Sequence, residues 1–130
     1  MNLVDSSGWL EYFADSKNAG FFAPAILDSK NLIVPSICIF EVFKRILHQK
    51  DENYALEAVT AMQQAAVIEL NLPLAIHAAK ISRDLKLPMA DSIILATARA
   101  YEAIIWTQDA DFKDLNGVKF IKEERQHERK

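Results

Sequence analysis

Five short runs of almost continuous apolar residues, "NLV", "NLIVP", "AAVIEL", "AIIWT" and "VKFI", are separated by longer stretches with helical spacing. This alternation limits what the chain can fold into. A strand that is apolar on both sides needs cover on both sides, which an antiparallel sheet with one wet face does not provide. Helices that cross over between parallel strands do provide it. The expected fold is therefore α/β, a three-layer α/β/α domain around a central parallel sheet of four or five strands.

The helices follow from side-chain spacing. Trp9, Leu10 and Phe13 share a face of "SSGWLEYFAD", and "AGFFAPAILDS" forms a second piece in which Pro24 marks a first turn or a kink. In "SICIFEVFKRILHQK" the residues Ile39, Val42, Phe43, Ile46 and Leu47 make one stripe, with Ser36 placed as an N-cap. "DENYALEAVTAMQQ" begins at Asp51. Leu74, Ala78, Ile81 and Leu85 align along "PLAIHAAKISRDLK", with Pro73 near the first turn. Another helix starts between Met89 and Asp91, and a turn at Asn116-Gly117 precedes the last strand.

With 130 residues, the chain suits one domain, expected over 1–121, and a polar tail over 122–130 that should fray. No apolar stretch is long enough for a bilayer, and "MNLVDSSGWL" lacks the features of a signal peptide. The single cysteine, Cys38, lies inside "SICIFEVF" and reads as a small core hydrophobe in a reducing compartment. Together these predict a cytoplasmic protein. The net charge of −3 is not that of a generally basic nucleic-acid binder. Acids gathered in one cleft would give the same total while leaving the rim basic.

In an open parallel sheet, ligands bind beyond the carboxyl ends of the strands. Asp5 ends the first run and Asp109 lies just past the fourth. Glu41 sits in the first turns of the helix after the second run, and Asp91 opens the helix leading into the fourth. Each has an ordinary structural explanation. Asp5 and Asp91 are good N-caps, Glu41 can pair with Arg45, and Asp109 and Asp111 can shape a turn. Two details count against these. Asp91 shares its helix face with Ile94, Leu95 and Ala98, and Glu41 is embedded in "CIFEVF".

Converging carboxylates repel by about 4 kcal/mol per close pair at an effective dielectric near 20. Such a cluster needs protons or a cation. Oxygen donors with no histidine or thiolate nearby favour Mg²⁺ or Mn²⁺, and that chemistry suits phosphodiester hydrolysis.

The segments "LVDSSGWLEYF", "VPSICIFEVFKRI", "LPMADSIILATA" and "IIWTQDADF" resemble the PIN-domain family, specifically the VapC type of toxin ribonuclease, in order and over nearly the whole chain. The resemblance implies the same α/β/α fold. It implies that Asp5, Glu41, Asp91 and Asp109 are the catalytic acids and bind Mg²⁺ or Mn²⁺ together. Ser6 and Thr107 would orient an acid or a water, and Asp111 would help indirectly. It also implies an endoribonuclease that leaves 5′-phosphate and 3′-hydroxyl ends, acts as a homodimer, and is held inactive by a cognate VapB-like antitoxin, often through an antitoxin arginine in the acidic pocket. One departure stands out: many relatives end a helix with glycine near "YEAI", where this chain has Glu102-Ala103.

Other features fit around this reading. His48, His77 and His127 have no partner spacing and are expected on the surface. Lys44, Arg45, Arg83 and Lys86 could form an RNA-gripping rim, or simply a solvated face. Trp9, Tyr12, Phe13, Phe21 and Phe22 should be mostly core, with a neighbouring apolar layer able to accept a partner's helix. The competing class is a non-catalytic, metal-binding receiver-like module. It would want paired acids after the first strand and an Asp after the third, but Asp5 stands alone and "AAVIEL" leads to Asn71. A haloacid-dehalogenase-like phosphatase would want D-x-D-x-[TV]. "DSSGW" lacks it, and "DADFK" has the spacing without the following Thr or Val.

Overall fold

Each of the five apolar runs forms a strand in the computed structural model, which describes residues 1–124. The strands are β1 (Asn2–Val4), β2 (Leu32–Pro35), β3 (Ala66–Ile68), β4 (Ile104–Thr107) and β5 (Val118–Phe120). They form one sheet in the order β3-β2-β1-β4-β5, and every neighbouring pair is parallel. The first two crossovers step outward from β1, and the third jumps back to its other side. The strand order therefore reverses between β1 and β4, where α/β folds place their ligands.

Six α-helices flank the sheet: α1 (Ser6–Phe13), α2 (Ala19–Leu27), α3 (Ser36–Gln49), α4 (Glu52–Met62), α5 (Leu72–Leu85) and α6 (Met89–Ala100). The central strands are dry on both sides, as their composition demands. Leu3, Val4, Leu32, Ile33, Val34 and Ile105 are all buried. The core is completed by Trp9, Phe22, Met62, Ile94, Leu95 and Phe112. α6 is sunk so deeply that Ser92 through Ala98 are all buried, so its middle has no wet face. α1 also lies close to the sheet. A Cβ on Gly8 would stand 2.6 Å from Val4 Cγ1 and 2.7 Å from the Phe22 ring, a distance only glycine permits.

Several local expectations need correction. Ser36 is not an N-cap. β2 runs through Pro35, whose φ of −61° leads into the helix, so Ser36 is already the first helical residue. Asp91 is not a cap either, because Pro88 holds that position and places Asp91 in the first turn. Pro24 lies inside α2, beyond its first turn, on an exposed face where water can satisfy the carbonyl left without a donor. The stripe on α3 is narrower than its spacing suggested. Cys38 and Val42 are buried, whereas Leu47 is exposed, as is Leu85 at the end of α5.

The departure at Glu102 has a clear structural consequence. Ala103 N–H donates to the Ala98 carbonyl (2.8 Å) and Glu102 N–H to that of Arg99 (3.3 Å), which closes α6 in a Schellman turn. That turn forces Glu102 to φ +50°, a left-handed conformation costly for a residue with a Cβ. Glu102→Gly should therefore raise stability by about 1 kcal/mol, read as a higher midpoint in thermal or urea unfolding. An unchanged or lower midpoint would mean that the turn carries no strain.

Candidate active site

The site grows from the carboxyl ends of β1 and β4. Asp5 N–H donates to the Trp106 carbonyl (3.2 Å), so the residue after β1 is still tied to β4. Its carboxylate caps α1, with Oδ1 accepting from Gly8 N–H (3.0 Å) and from the Ser7 hydroxyl (2.7 Å). Oδ2 accepts from the Thr107 hydroxyl (2.6 Å). Asp5 is thus a helix cap and a buried acid at once. Burial pushes its pKa up from 3.8 to about 6, against the pull of these three donors, and Asp109 adds to the rise.

Thr107 links two of the acids. Its oxygen donates to Asp5 and accepts from Asp109 N–H (2.8 Å). Asp109 Oδ1 then accepts from Asp111 N–H (2.9 Å) and caps a 3₁₀ turn over Ala110–Phe112. Phe112 is fully buried and pins that turn to the core. The loop that shows two carboxylates to solvent is therefore held at both ends.

Asp91 projects from the first turn of α6 into the same space. A carboxylate oxygen from each of Asp91, Asp109 and Asp111 can lie within 4.8 Å of the others, with Asp91 and Asp109 half-buried and Asp111 exposed. The pKa of Asp91 is pushed up to about 8, first by burial, then by the charge of Asp109 and by the hydrogen bond that its protonated carboxyl donates to Asp111, with the charges of Asp111 and Asp5 adding further. Glu41 on α3 is held by the residue next to Asp5, its Oε1 accepting from Ser6 Oγ at 2.5 Å. The Cys38 thiol on α3 is fully buried, and burial pushes its pKa far up, with Asp5, Glu41 and Asp91 all adding to the rise. One buried atom thus feels acids from three separate elements.

Among the described residues the ion pairs are Lys17–Glu124 and Arg83–Asp84, so no basic side chain offsets the cluster. The pairing of Glu41 with Arg45 does not form. Asp111, read from sequence as an indirect contributor, can bring a carboxylate oxygen within 4.8 Å of those of Asp91 and Asp109. Of the basic candidates, Lys44 and Arg45 lie beyond Glu41 on α3, and Arg45 borders two grooves beside the acids. Arg83 is paired with its neighbour Asp84, and Lys86 caps the end of α5 in a left-handed conformation. Neither of these borders those grooves. His48 is exposed, His77 is half-buried, and His127 lies outside the described residues.

Sequence reading missed a polar network under the site. The Asn18 side chain donates to Gln108 Oε1 (2.9 Å) and to the Lys122 carbonyl (3.0 Å), and Gln108 Nε2 donates to Glu11 Oε1 (3.1 Å). Gln108 N–H reaches the Ser7 hydroxyl (3.3 Å), which in turn holds Asp5. Ser7, two residues after Asp5, had a local signal. Asn18 and Gln108 had none, because their partners are distant in the chain.

The PIN domain family matches residues 3–118. The chain belongs to that family. Solved structures share the PIN fold at low identity. A chain of a toxin–antitoxin complex from Klebsiella pneumoniae aligns with a TM-score of 0.78 and 22% identity, over 92% of this chain and 96% of that one. VapC20 of Mycobacterium tuberculosis, described as a sarcin–ricin-loop-cleaving toxin, aligns at 0.76 with 15% identity, covering 91% and 97%. A DNA-bound VapBC from Salmonella typhimurium aligns at 0.71 with 16% identity, covering 94% and 98%. No curated protein sequence matches. The three-layer parallel fold expected from the strand–helix alternation and the family resemblance are thus both borne out. Among the described residues, no helix of this PIN domain is long and apolar enough to cross a membrane.

Proposed function

We propose that this PIN domain is a Mg²⁺- or Mn²⁺-dependent endoribonuclease, the toxin of a type II toxin–antitoxin pair. Family membership and the toxin neighbours support a nuclease role of this kind. The observation that carries the reading is the trio Asp91, Asp109 and Asp111, set beside buried Asp5 at the β1/β4 switch point, with no basic side chain paired to it among the described residues.

The residues fit a hard divalent ion. Every donor is a carboxylate oxygen, the oxygens of the trio are close enough to share one ion, and among the described residues no basic side chain is paired with them. Asp91, Asp109 and Asp111 would hold the ion, with Asp5 and Glu41 flanking it. When bound, it supplies Lewis-acid stabilisation of charge at phosphorus and on the leaving oxygen. Glu41, with Oε1 taken by Ser6, uses Oε2 to orient the water that attacks phosphorus. Thr107 and Ser7 keep the Asp5 carboxylate from turning, so the acids meet substrate already aligned. The products are a 5′-phosphate and a 3′-hydroxyl. The protein works in the cytoplasm as a homodimer, and a cognate antitoxin silences it by placing an arginine among the acids. The toxin–antitoxin complexes among the neighbours support that partner.

The test uses purified protein, free of any partner, and structured RNA. Cleavage should appear with Mn²⁺ or Mg²⁺, leave 5′-phosphate ends, stop on adding EDTA, and vanish in Asp5→Asn. RNA that stays intact with both ions would reject the assignment.

A further inference from the structure

Two aromatic rings near the acids are exposed for no reason that folding supplies. Phe40 on α3 is 59% exposed and Tyr54 on α4 is 57% exposed. Each has a lysine above it, Lys44 Nζ at 5.7 Å from the Phe40 centroid and Lys50 Nζ at 5.6 Å from that of Tyr54. Each also borders a groove that reaches the site. One groove, about 430 Å³, joins Phe40 to Glu41. The other, about 1180 Å³, joins Tyr54 and Lys50 to Ser7 and Asp109. Arg45 borders both.

We propose that single-stranded RNA reaches the acids along this face of α3 and the start of α4. Phe40 and Tyr54 act as stacking platforms for unpaired bases, and Lys44, Arg45 and Lys50 grip the phosphates. This rests on the ribonuclease reading and names the form of its substrate and the path it takes.

Three observations favour an RNA strand over a protein segment. An anionic strand can approach a carboxylate cluster only where cations flank it, and in a chain of net charge −3 the segment "KRILHQK", residues 44–50, carries Lys44, Arg45 and Lys50 with no acid among them. None of the three forms an ion pair among the described residues, and a base stacking on Phe40 or Tyr54 would displace Lys44 or Lys50 from the ring and free its charge for phosphate. A ring with a cation beside it, repeated along a groove, is the pairing that single-strand binders use, ring for base and cation for backbone. A duplex hides its base faces and would gain nothing from the rings.

Polarisation binding of a short labelled oligouridine in EDTA tests the proposal, beside the same strand annealed to its complement and beside cleavage kinetics in Mn²⁺. Phe40→Ala and Tyr54→Ala should each weaken single-strand binding by about 10-fold, and Tyr54→Phe should bind like the parent. Lys50→Ala should reduce the slope of log affinity against log salt by about 0.7. In cleavage, both alanine variants should raise KM with little change in kcat, at an unaltered unfolding midpoint. Parent-like affinity and KM in both alanine variants would overturn the path while leaving the nuclease standing. So would equal losses on duplex, or a change of sedimentation or antitoxin capture in place of RNA affinity. Ring-dependent binding with no cleavage by the parent protein would support the path and reject the nuclease.

Discussion

Asp91→Asn is expected to lower RNA cleavage by about 100-fold or more and, in the same protein, to raise the melting temperature of the metal-free form at pH 8. Both effects come from one charge. Asp91 faces Asp109 and Asp111 with no basic partner among the described residues, and burial with their negative potential pushes its pKa up to about 8. Asp5 is likewise pushed up to about 6. The unfolded chain gives up these protons near pH 4. Between about pH 4 and 8 the folded, metal-free protein therefore binds more protons than the unfolded one, and its stability falls as pH rises. Asparagine removes the part of that slope due to Asp91, while losing the negative oxygen a divalent ion needs. The checks are cleavage at saturating Mn²⁺ and unfolding curves in EDTA from pH 5 to 8. Mg²⁺ added at pH 8 should raise the parent's midpoint more than the variant's. A parent midpoint that stays flat or climbs from pH 5 to 8 would show that these acids are not held in mutual repulsion.

Thr107→Val should destabilise the protein by about 3 kcal/mol and cut cleavage by about 10- to 100-fold, although Thr107 is not itself a proposed metal ligand. The hydroxyl is fully buried and works in both directions, donating to Asp5 Oδ2 and accepting from Asp109 N–H. Valine fills the space but leaves a buried carboxylate oxygen and a backbone donor without partners. The pKa of Asp5 should rise further, since this hydrogen bond is the strongest influence holding it down. Thr107→Ser restores the hydroxyl and should recover most of both losses. Urea unfolding and metal-titrated cleavage of the three proteins separate the outcomes. Full activity in the valine variant would show that Thr107 does not position the acids.

Much of the fold was legible because both of its periodicities are local. Runs apolar on both faces demand a sheet covered on both sides, and Asp5 and Asp109 lie at strand ends whatever the details of packing. Errors appeared where a residue's neighbour in the chain was not its neighbour in space. Ser36 looked like a cap until Pro35 took the position at the strand exit. Leu47 and Leu85 had core spacing, but each lies near the end of a helix that has already left the core. The setting of Asp111 was left open by the sequence, whose spacing relates it to Asp109 alone. The first turn of α6 supplies its other neighbour, Asp91.

The chain's own order of residues determined the parallel α/β class, the kinds of acid available to a divalent ion, and their places near the carboxyl edge of the sheet. Periodicity and side-chain chemistry act over a few residues and need no knowledge of the far end of the chain. Only the tertiary structure decided which oxygens meet. The Thr107–Asp5 bond spans 102 positions and the Asn18–Gln108 bond spans 90. Such contacts exist because crossovers bring β1 beside β4, and no local pattern encodes that approach to within an ångström.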